Sequence, residues 1–179
     1  GGSSLGAAAA YLDKPLNWVD PYLGYDIKRK IKVNEVVSHL IDHKLCGVAN
    51  GRAEYGPRAL GNRSLLADPR QNIKNMVNTI KRRQKFRPFA PAILEEFADE
   101  YFEGPMNEYM QFVAKAKHDY KSVTHVDGTA RVQIVKKNCR SIIRPILEEW
   151  YEKTKCPMLL NTSLNIKGKP IVNDEKDAK

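Results

Sequence analysis

Four polar segments of this 179-residue chain carry residue types that handle anions, and each sits at the edge of an apolar run. The first is GPRALGNRS, Gly56 to Ser64. Its glycines let the backbone approach a ligand closely, and Arg58 and Arg63 offer planar forks that match phosphate oxygens. The second is KRRQKFRPFAP, Lys81 to Pro91, where Lys81 and Arg87 flank an aromatic and two prolines force an extended exit from a helix. The third is THVDGTARVQ, Thr124 to Gln133, in which a turn through Asp127-Gly128 delivers Arg131 into a strand, where taken alone it reads as an outward, solvated side chain. His125, just before that turn, reads equally as a site residue or as a structural hydrogen-bonding group. The fourth is LLNTSLN, Leu159 to Asn165, which places the amide of Asn161 and the hydroxyl of Ser163 at the carboxyl end of an apolar strand, where α/β sheets bind ligands. The chemistry these residue types imply is neutralisation and orientation of phosphorylated reactants. There is no GxxxxGK[ST] or GxGxxG loop, no Ser-His-Asp or Cys-His spacing, and no pair of acids beside the arginines. His39 and His43, four apart on a helix, lack a third ligand and the HExxH glutamate, so no metal site is expected.

The charge distribution supports a localised site. The formal net charge is +9. Residues 58–87 hold nine basic side chains against the single acid Asp68, which is +8 of that total. Such a run is ordinarily a solvated helix face. Here Gly56, Pro57, Gly61, Asn62 and Pro88 fix the backbone beside the arginines, which suits positioned charges. The alternative is a nucleic-acid-binding module that uses the same window, but interleaved aromatics for base stacking are sparse. The composition, 42% hydrophobic and 28% charged, is that of a globular chain. No apolar run approaches the roughly 18 residues of a membrane span. Three widely spaced cysteines without CxxC argue for a reducing, cytoplasmic setting.

The elements that must position these residues are read from periodicity. Residues 1–12 form an alanine-rich helix and read as the tail of an upstream unit; 13–32 read as a linker. A helix follows from Val33, with Asn34 as N-cap and Val36, Val37, Leu40 and Ile41 inward. Strands are expected at 46–49, 64–67, 90–94, 110–114, 129–135 and 157–160. Helices are expected at 71–83, with Ile73, Met76, Val77 and Ile80 on one stripe, at 96–102, and at 141–153. Trp150, Phe86 and Phe89 fit core patterns, and Cys46 and Cys156 buried fillers. The mixture makes an α/β or α+β domain over 33–179.

GRAEYGPRALGNRSLLADPR, IKRRQKFRPFAP, THVDGTARVQIV and MLLNTSLNIKGKPIV, in that order, resemble the C-terminal domain of O-carbamoyltransferases that decorate nodulation factors, cephems and aminoglycosides. The resemblance spans about 130 residues from Gly51 onward. It implies a YrdC-like domain, an open twisted mixed sheet flanked by helices, in which carbamoyl phosphate and ATP, with Mg²⁺ accompanying the nucleotide, give carbamoyl adenylate. It further implies an upstream actin-like domain that passes the carbamoyl group to a hydroxyl acceptor, with residues 1–12 as the end of that domain. Carried over motif by motif, the implied catalytic residues are Lys81, Arg87 and Arg131, and the implied substrate ligands are Arg58, Asn161 and Ser163, with Arg63 and His125 less directly supported. Gln84 stands where the family usually has glutamate, Lys85 where an aromatic is common and Leu164 where phenylalanine is usual. These departures are expected to leave the proposed ligands untouched.

Overall fold

The computed structural model describes residues 2–17 and 19–178; Gly1, Trp18 and Lys179 lie outside the described residues. Helix α1 runs Gly2–Tyr11, and a two-residue strand β1, Asp26–Ile27, interrupts the stretch read as a linker. Helix α2, Val33–His43, precedes β2, Leu45–Ala49, β3, Gly51–Arg52, and β4, Arg63–Ala67. Helix α3, Lys74–Ile80, leads to β5, Ala90–Leu94. A 3₁₀ turn at Glu95–Phe97 opens into α4, Ala98–Tyr101. Then come β6, Phe102–Glu103, β7, Ala114–Ala116, β8, Thr129–Ala130, and β9, Gln133–Val135. Helix α5, Ile143–Thr154, and β10, Met158–Ser163, complete the order.

The central sheet has strand order β2-β4-β10-β5-β9. All neighbours are antiparallel except β5 and β9, so the sheet is mixed, as expected. Strand β4 is buried along its whole length, as is β5, because both lie inside the sheet. Helices α2 and α5 pack against each other and on this sheet. Val37, Leu40, Ile143, Ile146, Leu147 and Trp150 bury their helical stripes in one core. Removing each large apolar side chain from water contributes roughly 1.5–3 kcal/mol. β6, β7 and β8 form a second, small antiparallel sheet.

Several expectations are corrected. Helix α2 begins one residue before Asn34, with Lys32 in the cap position and no side-chain cap bond. The stripe expected over 71–83 is split. Ile73 and Val77 are buried, whereas Met76 is 43% and Ile80 45% exposed. The helix itself stops at Ile80, and Arg82 takes positive φ at 52°. The strand expected at 110–114 begins only at Ala114, because Met110 takes a positive φ of 56°. The strand expected over 129–135 breaks at Arg131, with its halves in different sheets. Phe89 and Trp150 are core, but Phe86 is 74% exposed. Cys156 is buried while Cys46 is only partly so, and all three thiols are free.

Candidate active site

The break between β8 and β9 is where the polar segments meet. Arg131 leaves the small sheet there, while Gln133 two residues later joins the central one. Cross-strand register puts Gln133 beside Ala92 and Asn161 beside Ala90, so both amides share one sheet face. A cavity of about 90 Å³ is lined by Arg58, Arg83 and Arg131 together with Asn161, Thr162 and Ser163. It adjoins a wider cavity of about 750 Å³, and Arg58 and Arg131 line both. Tyr55, Tyr109 and Gln111 furnish the wider one with rings and an amide.

The electrostatics of this corner are one-sided. The arginine ion pairs among the described residues belong to Arg70, Arg140 and Arg144, not to the three cavity arginines. Burial, and then Arg58, hold the Arg131 guanidinium below its usual range. Burial, followed by Arg87 and Arg131, does the same to Arg83. Arginine stays protonated regardless, so an anion entering here would offset the cost of gathering the three.

Two atoms point to the ligand. Arg131 Nε and Asn161 Oδ1 are buried and have no hydrogen-bond partner. The Asn161 amide has a fixed sense: its Nδ2 donates to Ala59 O at 3.1 Å and to Gln133 Oε1 at 2.7 Å. Gln133 is fixed in turn, since its Nε2 donates to Leu60 O at 3.0 Å. The relay therefore leaves Asn161 presenting an acceptor and Arg131 a donor, each lacking a partner that buried polar groups require.

The loop carrying Arg58 is shaped by a residue that the sequence reading passed over. Glu54 Oε1 accepts the backbone N–H groups of Leu60, Asn62 and Arg63 at 2.8, 2.7 and 3.3 Å. Burial raises its pKa, and the backbone donors oppose that shift. Asn78 does the same for the second segment. Its Nδ2 donates to Lys85 O and Arg87 O, and its Oδ1 accepts from Arg83 Nε at 2.5 Å. Arg83, which was not singled out from the sequence, thereby lies over the Phe89 ring at 4.2 Å, with the cavity beyond. Its signal was present in the KxR spacing but is indistinguishable there from a solvated helix end.

The remaining sequence candidates are placed elsewhere. Arg63 is fully buried, and its guanidinium donates to the carbonyls of Tyr25, Asn50, Gly51, Asn62 and Asn173. It clamps three chain segments together. Lys81 is 4% exposed, and its Nζ donates to Ser163 O, to Asn165 O at 2.9 Å and to Asn165 Oδ1 at 3.1 Å. It braces the turn that carries Ser163, and burial, aided by Arg83, lowers its pKa to about 8. Arg87 is exposed, and its Nε donates to Gln84 Oε1 at 2.8 Å. The departure at Gln84 therefore does touch a proposed ligand, contrary to expectation; a glutamate there would hold Arg87 by a stronger charge-assisted bond. His125 lines a different cavity, with Nδ1 3.3 Å from Thr129 Oγ1.

Fold and site thus define an α/β domain with a pocket walled by Arg58, Arg83 and Arg131 and closed by the strand that carries Asn161. The sequence profile of the family described as carbamoyltransferase C-terminus matches residues 37–179, and the chain belongs to that family. It is 44% identical over 149 residues to the nodulation protein NolNO of Sinorhizobium fredii, covering 78% of this chain and 22% of that protein. It is 33% identical over 198 residues to nodulation protein U of Azorhizobium caulinodans, covering 99% of this chain and 35% of that protein. The chain thus spans about a quarter to a third of these relatives. In fold it is similar to full-length HypF, solved in a phosphate- and nucleotide-bound form, with a TM-score of 0.54 at 17% identity, covering 87% of this chain and 20% of HypF. Among the described residues, no helix is long and apolar enough to cross a membrane.

Proposed function

We propose that this chain is the domain of an ATP-dependent O-carbamoyltransferase that forms carbamoyl adenylate from carbamoyl phosphate and ATP. The observation that carries the reading is that two residues lining one small cationic cavity each keep a buried polar atom without a partner, the acceptor Asn161 Oδ1 and the donor Arg131 Nε. A fully ionised oxyanion has no donor for the asparagine, and hydrogen phosphate has a single O–H. A carbamoyl group carries an NH₂ on the same small molecule as its phosphate, so carbamoyl phosphate satisfies both atoms.

In this reading Arg58, Arg83 and Arg131 spread the charge of the phosphates, and Asn161 orients the carbamoyl nitrogen. Ser163, held by Lys81 and Asn165, sets the far wall. The nucleotide takes the wider cavity, because the arginines shared by both cavities stand where the α-phosphate meets the carbamoyl oxygen. Water releases the donor's phosphate as inorganic phosphate. The resulting carbamate oxygen bonds to the α-phosphorus, the α–β anhydride breaks, and pyrophosphate leaves. Catalysis comes from positioning and from fixed positive charge aimed at the developing negative charge. The narrow cavity has no carboxylate in its lining and the wider one only Glu54, whose Oε1 is taken by backbone N–H groups, so neither offers a cage for Mg²⁺ and no step is derived through the ion. Transfer to a hydroxyl acceptor falls to an upstream actin-like domain, and the setting is cytoplasmic.

The test is pyrophosphate release from ATP that depends on carbamoyl phosphate, measured with the chain joined to its upstream domain. Release that persists undiminished in both Arg131→Ala and Arg58→Ala rejects this site. Nucleic-acid binding is the poorer reading, since the arginines converge on a cavity of about 90 Å³ rather than line a groove.

A further inference from the structure

A third cavity, of about 520 Å³, shares no lining residue with the two already described. Lys74, Lys85 and Lys121 line it, against one acid, Asp119, which lies 3.9 Å from Lys121 Nζ. Phe86, 74% exposed, forms part of the wall, and an exposed ring of this size is costly to leave in water. Thr124 Oγ1, also in the lining, is buried with no hydrogen-bond partner. His125 is held beside it by Thr129. The volume falls in the range of small-molecule sites, roughly 300–1,000 Å³.

We propose that this cavity is a separate binding site for a phosphorylated heterocycle of the nucleoside monophosphate class. The lysines supply point charges for the phosphate, Phe86 a face for the ring to stack on, and Thr124 Oγ1 a polar atom in want of a partner. Each feature alone is ordinary on a protein surface. Their concurrence around one cavity of nucleotide size matches a ligand with an anionic end and a flat aromatic end. The site also has a mechanical link to the first. Lys85 and Phe86 belong to the turn that Asn78 holds through Lys85 O and Arg87 O, and the same asparagine positions Arg83 in the other cavity. Occupancy here would bear on Arg83 through that turn.

The experiment uses AMP as the probe and a Phe86→Trp chain as the reporter, with the wild-type emission as baseline. AMP is expected to quench the added fluorescence, to do so equally when Arg131→Ala is introduced, and to lose the effect in Lys74→Ala/Lys85→Ala. Calorimetry provides a measurement independent of the reporter. Phe86→Ala should weaken AMP binding by about 5- to 150-fold, the range that base–aromatic stacking spans, while binding of inorganic pyrophosphate is unchanged. No quenching at millimolar AMP, or quenching abolished by Arg131→Ala, overturns the second site. The second of these outcomes would leave the carbamoyl-adenylate reading intact, and failure of carbamoyl-phosphate-dependent pyrophosphate release would leave this proposal standing.

Discussion

Arg131 is the residue on which the candidate site turns, because its buried Nε lacks a partner and its charge is opposed by Arg58. Removing a preorganised donor of this kind typically lowers turnover by about 10²–10³-fold, and the same loss is expected for Arg131→Ala in the pyrophosphate-release assay. A loss below tenfold would count against it. Asn161 makes a different prediction. Asn161→Ala should raise KM for carbamoyl phosphate, yet leave the inhibition constant of sulfate unchanged, because sulfate carries no hydrogen-bond donor for the missing acceptor. Equal weakening of both ligands would contradict the assigned role. Arg58 and Arg131 stood out by residue type and motif, and both line the cavity. Arg63 shares the first motif with Arg58 but spends its guanidinium on carbonyls, since it lies inside β4 while Arg58 sits on the loop before it. Sequence spacing alone does not separate those two fates.

At the scale of elements, the site depends on two turns held by side chains remote from the ligand. Gly61 closes the first. It takes φ +126°, and a Cβ there would stand 2.6 Å from Ile143 Cβ, at the start of α5. Gly61→Ala should therefore destabilise the fold by more than about 2 kcal/mol, combining backbone strain with overpacking of 1–3 kcal/mol each. A thermal midpoint equal to that of the wild type would contradict this. Asn78 closes the second turn and is fully buried, so Asn78→Ala strands the carbonyls of Lys85 and Arg87. Lys85 and Arg87 are exposed, so each lost hydrogen bond costs about 0.5–1.5 kcal/mol. Denaturant titration should show that loss, together with reduced turnover as Arg83 is released. The helix and strands of the core were readable because their apolar periods are long. The end of α3 was not: Met76 and Ile80 continue the helical period, but the chain turns at Arg82, and no local signal marks that.

Across the whole molecule, stability should depend on pH through Lys81. Its pKa falls from 10.5 to about 8 on folding, so between these values the unfolded chain binds more protons. Stability conferred relative to Lys81→Met should therefore rise as pH increases from 8 toward 10.5 and be lost again as pH falls through 8. Guanidinium unfolding of both proteins at pH 7.5 and 9.5 checks the sign, and a difference that shrinks at the higher pH refutes it. The net charge of +9 is where sequence and tertiary structure part most clearly. Composition and motif order determined by themselves that nine basic residues crowd one window, that the domain is α/β, and that the motifs follow those of carbamoyltransferases. Only the packed fold decided where each charge goes. Arg63 and Lys81 are buried among oxygen acceptors, Arg70 pairs with Asp68, Arg58 and Arg83 join Arg131 in the cavity, and Lys74 and Lys85 face a separate one. The reason is that a cation's role is set by the oxygens and charges within a few ångströms of it, and those neighbours are supplied by strands and turns distant in sequence.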